Sequence, residues 1–156
     1  DTDRSRGLGD VYKRQVFVFV GDGECDEGQV WEAAQFAAHY KLDNLVCFVD
    51  SNKRQLDGAV EDIMSHGKGL RAKFDAFGWN AIELEDGNDV EQIYDAVQEA
   101  YATKGQPTAI ILNTIKGKGA TFAESTGAHS SQPTPEQWEE AIAAAEAELA
   151  AVKAAK

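Results

Sequence analysis

Four short apolar runs alternate with helix-forming segments, and that alternation constrains the fold more than any other feature. The runs are VFVFV (Val16–Val20), NLVCFVD (Asn44–Asp50), WNAIELE (Trp79–Glu85) and PTAIILNTI (Pro107–Ile115). Their β-branched and aromatic content reads as strand. VFVFV has no polar alternation, the pattern of a strand covered on both faces. Between the runs, EGQVWEAAQFAAHY (Glu27–Tyr40) places Val30, Ala34, Ala37 and Ala38 at helical spacing. SHGKGLRAKFDAFG (Ser65–Gly78) predicts a helix stopped by Gly78. DVEQIYDAVQEAYATKG (Asp89–Gly105) predicts an amphipathic helix with Val90, Ile93, Tyr94, Val97 and Tyr101 on its apolar face. Strand and helix in strict alternation imply an α/β fold, a parallel sheet flanked by helices and joined by right-handed crossovers. Such sheets bind ligands at the carboxyl ends of their strands. Gly21-Asp22-Gly23, Asp50-Ser51-Asn52 and the start of NTIKGKG all fall there.

The two ends of the chain differ from this pattern. Residues 1–15, DTDRSRGLGDVYKRQ, are polar and aperiodic, and GDVYKRQ resembles translated adapter sequence. They are read as a non-native leader and excluded from fold reasoning. Residues 16–133 form the α/β domain. Residues 134–156 are read as an Ala-rich C-terminal helix that closes against the domain surface. Thr134 is its expected N-cap, Pro135 its first helical residue and Gln137, three residues after Thr134, the partner of a capping box.

Composition narrows the functional classes. The 156 residues carry a net charge of −12, which opposes nucleic-acid or anionic-membrane binding by bulk electrostatics. A phosphate ligand stays possible, because a bound metal neutralises charge locally. No apolar run approaches the ~18 residues of a membrane span, and no secretory signal is visible. Cys25 and Cys47 fit no zinc spacing and read as reduced thiols of a cytoplasmic protein.

The candidate chemistry starts at Asp22. Its flanking glycines allow a tight turn and close approach to a ligand, and a carboxylate at a strand end suits a magnesium ion bridging phosphates. Taken alone, Gly-Asp-Gly is more often an ordinary strand-to-helix turn. A dinucleotide fingerprint from Gly21 fails at Asp26, an EF-hand from Asp22 fails at Glu27 and Ala33, and no P-loop is present. A site must therefore be assembled across elements. Asn52 lies thirty positions after Asp22, one strand–helix–strand unit, so the two side chains are expected at adjacent strand ends.

The stretch GDGECDEGQVWEAAQFAAHYKLDNLVCFVDSNKRQLDG (Gly21–Gly58), with TIKGKGATF downstream, resembles the thiamine-diphosphate motif of transketolases. EGQVWEAAQFAAHYKLDNL is most similar to the N-terminal subunit of split bacterial transketolases. The resemblance covers residues 16–140 and implies the diphosphate-binding domain of a thiamine-diphosphate fold, truncated at its N-terminus. It implies magnesium (or calcium) held by the side chains of Asp22 and Asn52 and the carbonyl of Arg54. Gly21, Asp22, Gly23, Asn52 and His129 would bind thiamine diphosphate, with His129 also the catalytic residue contacting substrate. Glu27 matches an acid near the subunit contact.

The implied activity is transfer of a two-carbon ketol unit between phosphorylated sugars by a complete, oligomeric assembly of the pentose phosphate pathway. The implied partner is the C-terminal, pyrimidine-binding transketolase subunit. Without it, and without the family's segment upstream of Val16, the fragment is expected to be inactive. Another thiamine-diphosphate enzyme, such as a deoxyxylulose-phosphate synthase or a dehydrogenase component, is the enzyme alternative, and an inert fragment or interaction module the other. Arg54 departs from the apolar residue common in the family, and Asn88 stands where a histidine is common. Without the resemblance, His129 reads as a loop histidine, and His39 and His66 as structural or solvated. Trp31 and Trp79 read as core aromatics, while Lys116 and Lys118 read equally as solvated or phosphate-facing. Glu24 and Asp26 receive no role.

Overall fold

The structure, a computed structural model, describes residues 14–124 and 132–154. It divides into two compact units, one ending at Thr114 and one beginning at Ile115. The first opens with β1 (Val16–Gly21), a 3-10 turn over Glu24–Asp26, and α1 (Gly28–His39). Then come β2 (Leu45–Asp50), a small hairpin of β3 (Arg54–Gln55) and β4 (Gly58–Ala59), and the single-turn α2 (Val60–Ile63). It finishes with α3 (Leu70–Ala76), β5 (Asn80–Leu84), α4 (Val90–Ala102) and β6 (Thr108–Leu112). The second unit contains α5 (Thr121–Glu124) and α6 (Pro135–Ala154).

Strands β1, β2, β6 and β5 form one parallel sheet in that order. Its register is the feature that builds the site. Gly21 pairs with Asp50, Asp50 with Leu112, and Leu112 with Leu84, so all four strands end in one row. The next residue of each strand therefore emerges at the same edge.

Alternate residues of each strand feed two cores, as the period of two requires. Cys47, Val49, Ala109, Ile111 and Ala81 pack with Ala34 and Ala37 of α1, Leu70 and Phe74 of α3, and Trp79. Val46, Phe48, Ile110, Leu112 and Leu84 pack with Ala96 and Ala100 of α4. Buried polar groups of this packing find partners. The Trp79 indole donates to the Ala34 carbonyl at 2.9 Å and the Trp31 indole to the Cys25 carbonyl at 2.8 Å. Both tryptophans are thus core aromatics, as expected.

Helix boundaries follow local chemistry. The Asp89 carboxylate caps α4 by accepting from the Glu91 N–H at 2.9 Å. Gly78, at φ 87°, closes α3 in a left-handed turn that lets the Trp79 N–H reach the Phe74 carbonyl. In the second unit the capping box forms as read. The Thr134 N–H donates to Gln137 Oε1 at 2.9 Å, and the Gln137 N–H donates to Thr134 Oγ1 at 3.3 Å. Phe122 of α5 packs edge-on against Trp138 of α6.

Three details differ from the pattern-based expectation. Residues Val16–Phe19 of β1 are exposed, Phe19 by 71%. Among the described residues β1 is an edge strand, and on the α4 side Phe17 and Phe19 stack on Phe48 while Phe17 also meets the Tyr101 ring edge-on. The helix expected from Ser65 begins at Leu70, because Gly67 and Gly69 adopt positive φ and interrupt helical geometry. On α4 the buried stripe runs through Ile93, Ala96, Val97 and Ala100, leaving Val90 and Tyr94 outward and Tyr101 at the sheet edge against Phe17. Small alanines permit close approach to the sheet, which the larger side chains would prevent.

Gly87 packs tightly against the end of β6. Its N–H donates to the Asn113 carbonyl at 2.9 Å, and a Cβ there would lie 2.7 Å from the carbonyl carbon of Leu112. Gly87→Ala is expected to cost about 1–3 kcal/mol through overpacking. Gly28→Ala, where a Cβ meets nothing within 4 Å, should change stability by no more than ~0.5 kcal/mol. Urea unfolding of the two variants measures the contrast, and equal midpoints would refute it.

Candidate functional site

The strand ends build the site from their common row. Gly21 ends β1, and Asp22 follows with its N–H donating to the Asp50 carbonyl at 3.0 Å. This continues the β1–β2 ladder one residue further and turns the Asp22 side chain inward. Only 1% of Asp22 is exposed. Its carboxylate accepts from the Gly23 N–H at 2.9 Å and, on the other oxygen, from the Lys53 N–H at 2.6 Å. Two peptide donors thus bind one buried anion, one from the adjacent residue and one from 31 residues away.

The turn after β2 carries the other expected residues. Asn52 Oδ1 accepts from the Arg54 N–H at 2.9 Å, an Asx-type turn that holds the amide oxygen. Asn52 Nδ2 donates to Asp50 Oδ2 at 2.9 Å, and the other Asp50 oxygen accepts from the Thr114 hydroxyl. Arg54 begins the β3–β4 hairpin, paired with Ala59. Gly23 accommodates this hairpin closely, since a Cβ would lie 2.7 Å from Gln55 Cβ. The structure therefore brings Asp22, Gly23, Asn52 and Arg54 to one edge, with Gly21 at its threshold. His129 lies outside the described residues.

Electrostatics single out Asp22. Burial pushes its carboxyl above the usual range, opposed by the N–H groups of Lys53 and Gly23, raised again by the Asp50 charge and lowered by that of Lys53. No described Lys, Arg or His side chain forms an ion pair with Asp22. A buried carboxylate without a direct ion pair is costly, and a bound cation would offset that cost. The donor set offers a carboxylate, an amide oxygen and a peptide carbonyl, all hard oxygen donors of the kind magnesium and calcium take. These residues therefore fit a divalent cation.

Three partners in this network carried no role in the sequence pattern. Asp50 orients the Asn52 amide. The Lys53 ammonium donates to Ser51 Oγ at 2.6 Å and Asn113 Oδ1 at 2.8 Å. Asn113 in turn donates to the Leu84 carbonyl at 2.8 Å and Glu83 Oε1 at 3.1 Å. The signal for Asp50 was its place at a strand end. Asn113 becomes a neighbour of Lys53 only once β6 is known to lie beside β2.

A separate cavity of about 320 Å³ is lined by Val18, Val20, Val30, Phe74 and Trp79, with Glu24 and Glu27 also on its wall. It contains none of the expected cofactor or metal residues. Of the remaining histidines, His39 is exposed against Tyr40, while His66 is buried 3.7 Å from Asp26 and 3.2 Å from the Lys73 ammonium. Among the described residues no cluster of three His, Cys, Asp or Glu side chains forms a metal site. That is compatible with a single-carboxylate ligand set. No described helix is long and apolar enough to cross a membrane.

A family model described as transketolase, thiamine diphosphate binding domain, matches residues 3–150. The chain belongs to the transketolase family. It is 44% identical over 134 residues to 6-deoxy-6-sulfo-D-fructose transketolase subunit SqwG of Clostridium sp. (strain MSTE9), covering 85% of this chain and 48% of that protein. It is 39% identical over 129 residues to an apulose-4-phosphate transketolase subunit of Phocaeicola vulgatus, covering 82% and 45%. Among solved structures, transketolase from Leishmania mexicana aligns with a TM-score of 0.66 at 33% identity, over 70% of this chain and 16% of that one. The chain spans about half the length of these two curated bacterial relatives. The parallel sheet flanked by helices is thus the architecture of a transketolase thiamine diphosphate binding domain, in part.

Both cysteines of this transketolase-family chain sit in the core as free thiols. Burial pushes each thiol up to about 12, so thiolate is scarce at neutral pH. Ellman-type titration should register neither Cys25 nor Cys47 until denaturant unfolds the chain. A rapid stoichiometric reaction in native buffer would contradict the packing.

Proposed function

We propose that this chain supplies the diphosphate half of a transketolase site, holding a divalent cation and the diphosphate of thiamine diphosphate. The observation that carries the reading is Asp22, a carboxylate buried to 1% exposure at the common strand end, with no side-chain ion pair among the described residues. Asp22 and Asn52 would ligate magnesium through side-chain oxygens and Arg54 through its carbonyl. Gly21, Gly23 and Asn52 would face the diphosphate. The Gly23 N–H now donates to Asp22 Oδ1, so contact with a phosphate oxygen would share or replace that bond. When bound, thiamine diphosphate supplies the nucleophilic carbon that cleaves and forms C–C bonds.

His129 would hold substrate and cofactor through its ring nitrogens. The activity would be transfer of a two-carbon ketol unit between phosphorylated sugars, in a cytoplasmic pentose phosphate setting. It would require a partner carrying the pyrimidine-binding half. The names of the two bacterial relatives, both of them transketolase subunits, support that division of labour.

Calorimetry with magnesium and thiamine diphosphate tests the site. Binding should be abolished by Asp22→Ala, and an equally tight mutant would end the metal assignment. A pH series adds a second check. In the metal-free chain the raised Asp22 carboxyl holds its proton more readily folded than unfolded. Its contribution to stability therefore falls as pH rises from the unfolded value through the folded one. The cation needs the ionised form and competes with that proton. The rise in melting temperature on adding magnesium and cofactor should be larger at about pH 7.5 than at about pH 5. A pH-independent rise would exclude Asp22 as ligand.

A further inference from the structure

Lys53 has a backbone conformation that its side chain must justify. Its φ is 64°, in the left-handed region where a Cβ is crowded and glycine is favoured. A glycine would make the same turn without that crowding. What lysine adds is the ammonium, which donates to Ser51 Oγ at 2.6 Å and Asn113 Oδ1 at 2.8 Å. Ser51 is itself buried, with 2% exposed, and stands directly after β2. Asn113 stands directly after β6 and is fastened to the end of β5 through the Leu84 carbonyl. Meanwhile the Lys53 N–H donates to Asp22 Oδ2, the carboxylate following β1. One residue therefore links the ends of all four strands. Its backbone reaches the buried carboxylate while its ammonium is anchored elsewhere.

That division matters chemically. An ammonium paired directly with Asp22 would occupy the place of a cation. Held by Ser51 and Asn113, it fixes the turn and leaves the carboxylate to take a metal. We propose that Lys53 is a positioning residue for Asp22, its ammonium pinning the 52–54 turn so that the Lys53 N–H stays on Asp22 Oδ2 and Asn52 and Arg54, on either side of it, keep their places at the same strand-end edge. Its consequence for metal affinity rests on the cation site proposed above. The claim about the turn does not.

The test uses the 156-residue chain and three variants. Lys53→Met keeps the length and the positive φ but removes the charge, Lys53→Gly relieves the backbone, and Lys53→Arg retains a cation. In the absence of metal, amide hydrogen exchange is followed at residue 53 and Gly23, with Ile110 and Ile111 in β6 as internal controls. In Lys53→Met and Lys53→Gly, exchange at residue 53 and Gly23 should accelerate about tenfold with the β6 amides unchanged, since only the local opening is affected. Lys53→Arg should stay within about threefold of wild type. Calorimetry with magnesium and thiamine diphosphate should then show about tenfold weaker binding for Lys53→Met, the usual effect of losing a partner that orients a ligand.

Unchanged exchange at residue 53 and Gly23 overturns the proposal, as does acceleration shared equally by β6, which would mean general destabilisation. Loss of binding with unchanged exchange also overturns it and would make Lys53 a direct ligand of the diphosphate. If wild type and Lys53→Met bind alike while Asp22→Ala does not bind, Lys53 fails as a positioning residue and the metal site stands. If wild type does not bind at all, the metal site falls, and the exchange arm still decides Lys53.

Discussion

A single buried carboxylate organises the carboxyl edge of this sheet. Asp22 is withdrawn from water and held by two peptide N–H groups, one from its own turn and one from the turn after the neighbouring strand. Hydrogen bonds to an ionised acceptor are stronger than neutral ones, and here they span two strands. They tie the geometry of the Asn52 turn to the register of β1 against β2. The β3–β4 hairpin that begins at Arg54 then lies against Gly23, whose missing Cβ makes room for Gln55. Register, turn and hairpin all meet at one anion, and no described side chain pairs it with a positive charge.

Legibility in the sequence followed the range of the interactions involved. The capping box at Thr134 and Gln137 and the stop at Gly78 depend on residues three to five apart, so they could be read directly. The alternating strands and helices were likewise readable, because period and length separate the two. The meeting of Asp22 with the Asn52 turn was legible through the length of one strand–helix–strand unit. Lys53 and Asn113 were not, because they touch only through the strand order β2–β6, and β6 follows β5 in the chain. Exposure of β1 was equally invisible. A run such as VFVFV records which residues are apolar, while its covering depends on which elements lie over an edge strand. The buried stripe of α4 shifted toward alanines because closeness to the sheet, more than side-chain hydrophobicity, selected that face.

The family relationship and the geometry answer different questions. The match to a transketolase thiamine diphosphate binding domain accounts for the sheet, its helices and the position of the Gly-Asp-Gly turn. It does not account for a lysine in a left-handed conformation, or for an ammonium clamped between a buried serine and an asparagine. Those features concern how firmly this edge is held before any ligand arrives. A pre-formed arrangement of oxygens loses less conformational freedom on binding than a loose one.

The outer edge of the sheet has a physical consequence of its own. β1 exposes Phe17 and Phe19 on one face and offers an unpaired row of peptide groups among the described residues. Such an edge is a template for strand-to-strand association. What opposes it is like-charge repulsion between molecules carrying a net −12. Because added salt shortens the reach of that repulsion, any association through this edge would grow with ionic strength. Dilute buffer would keep such edges apart, and concentrated salt would weaken what separates them.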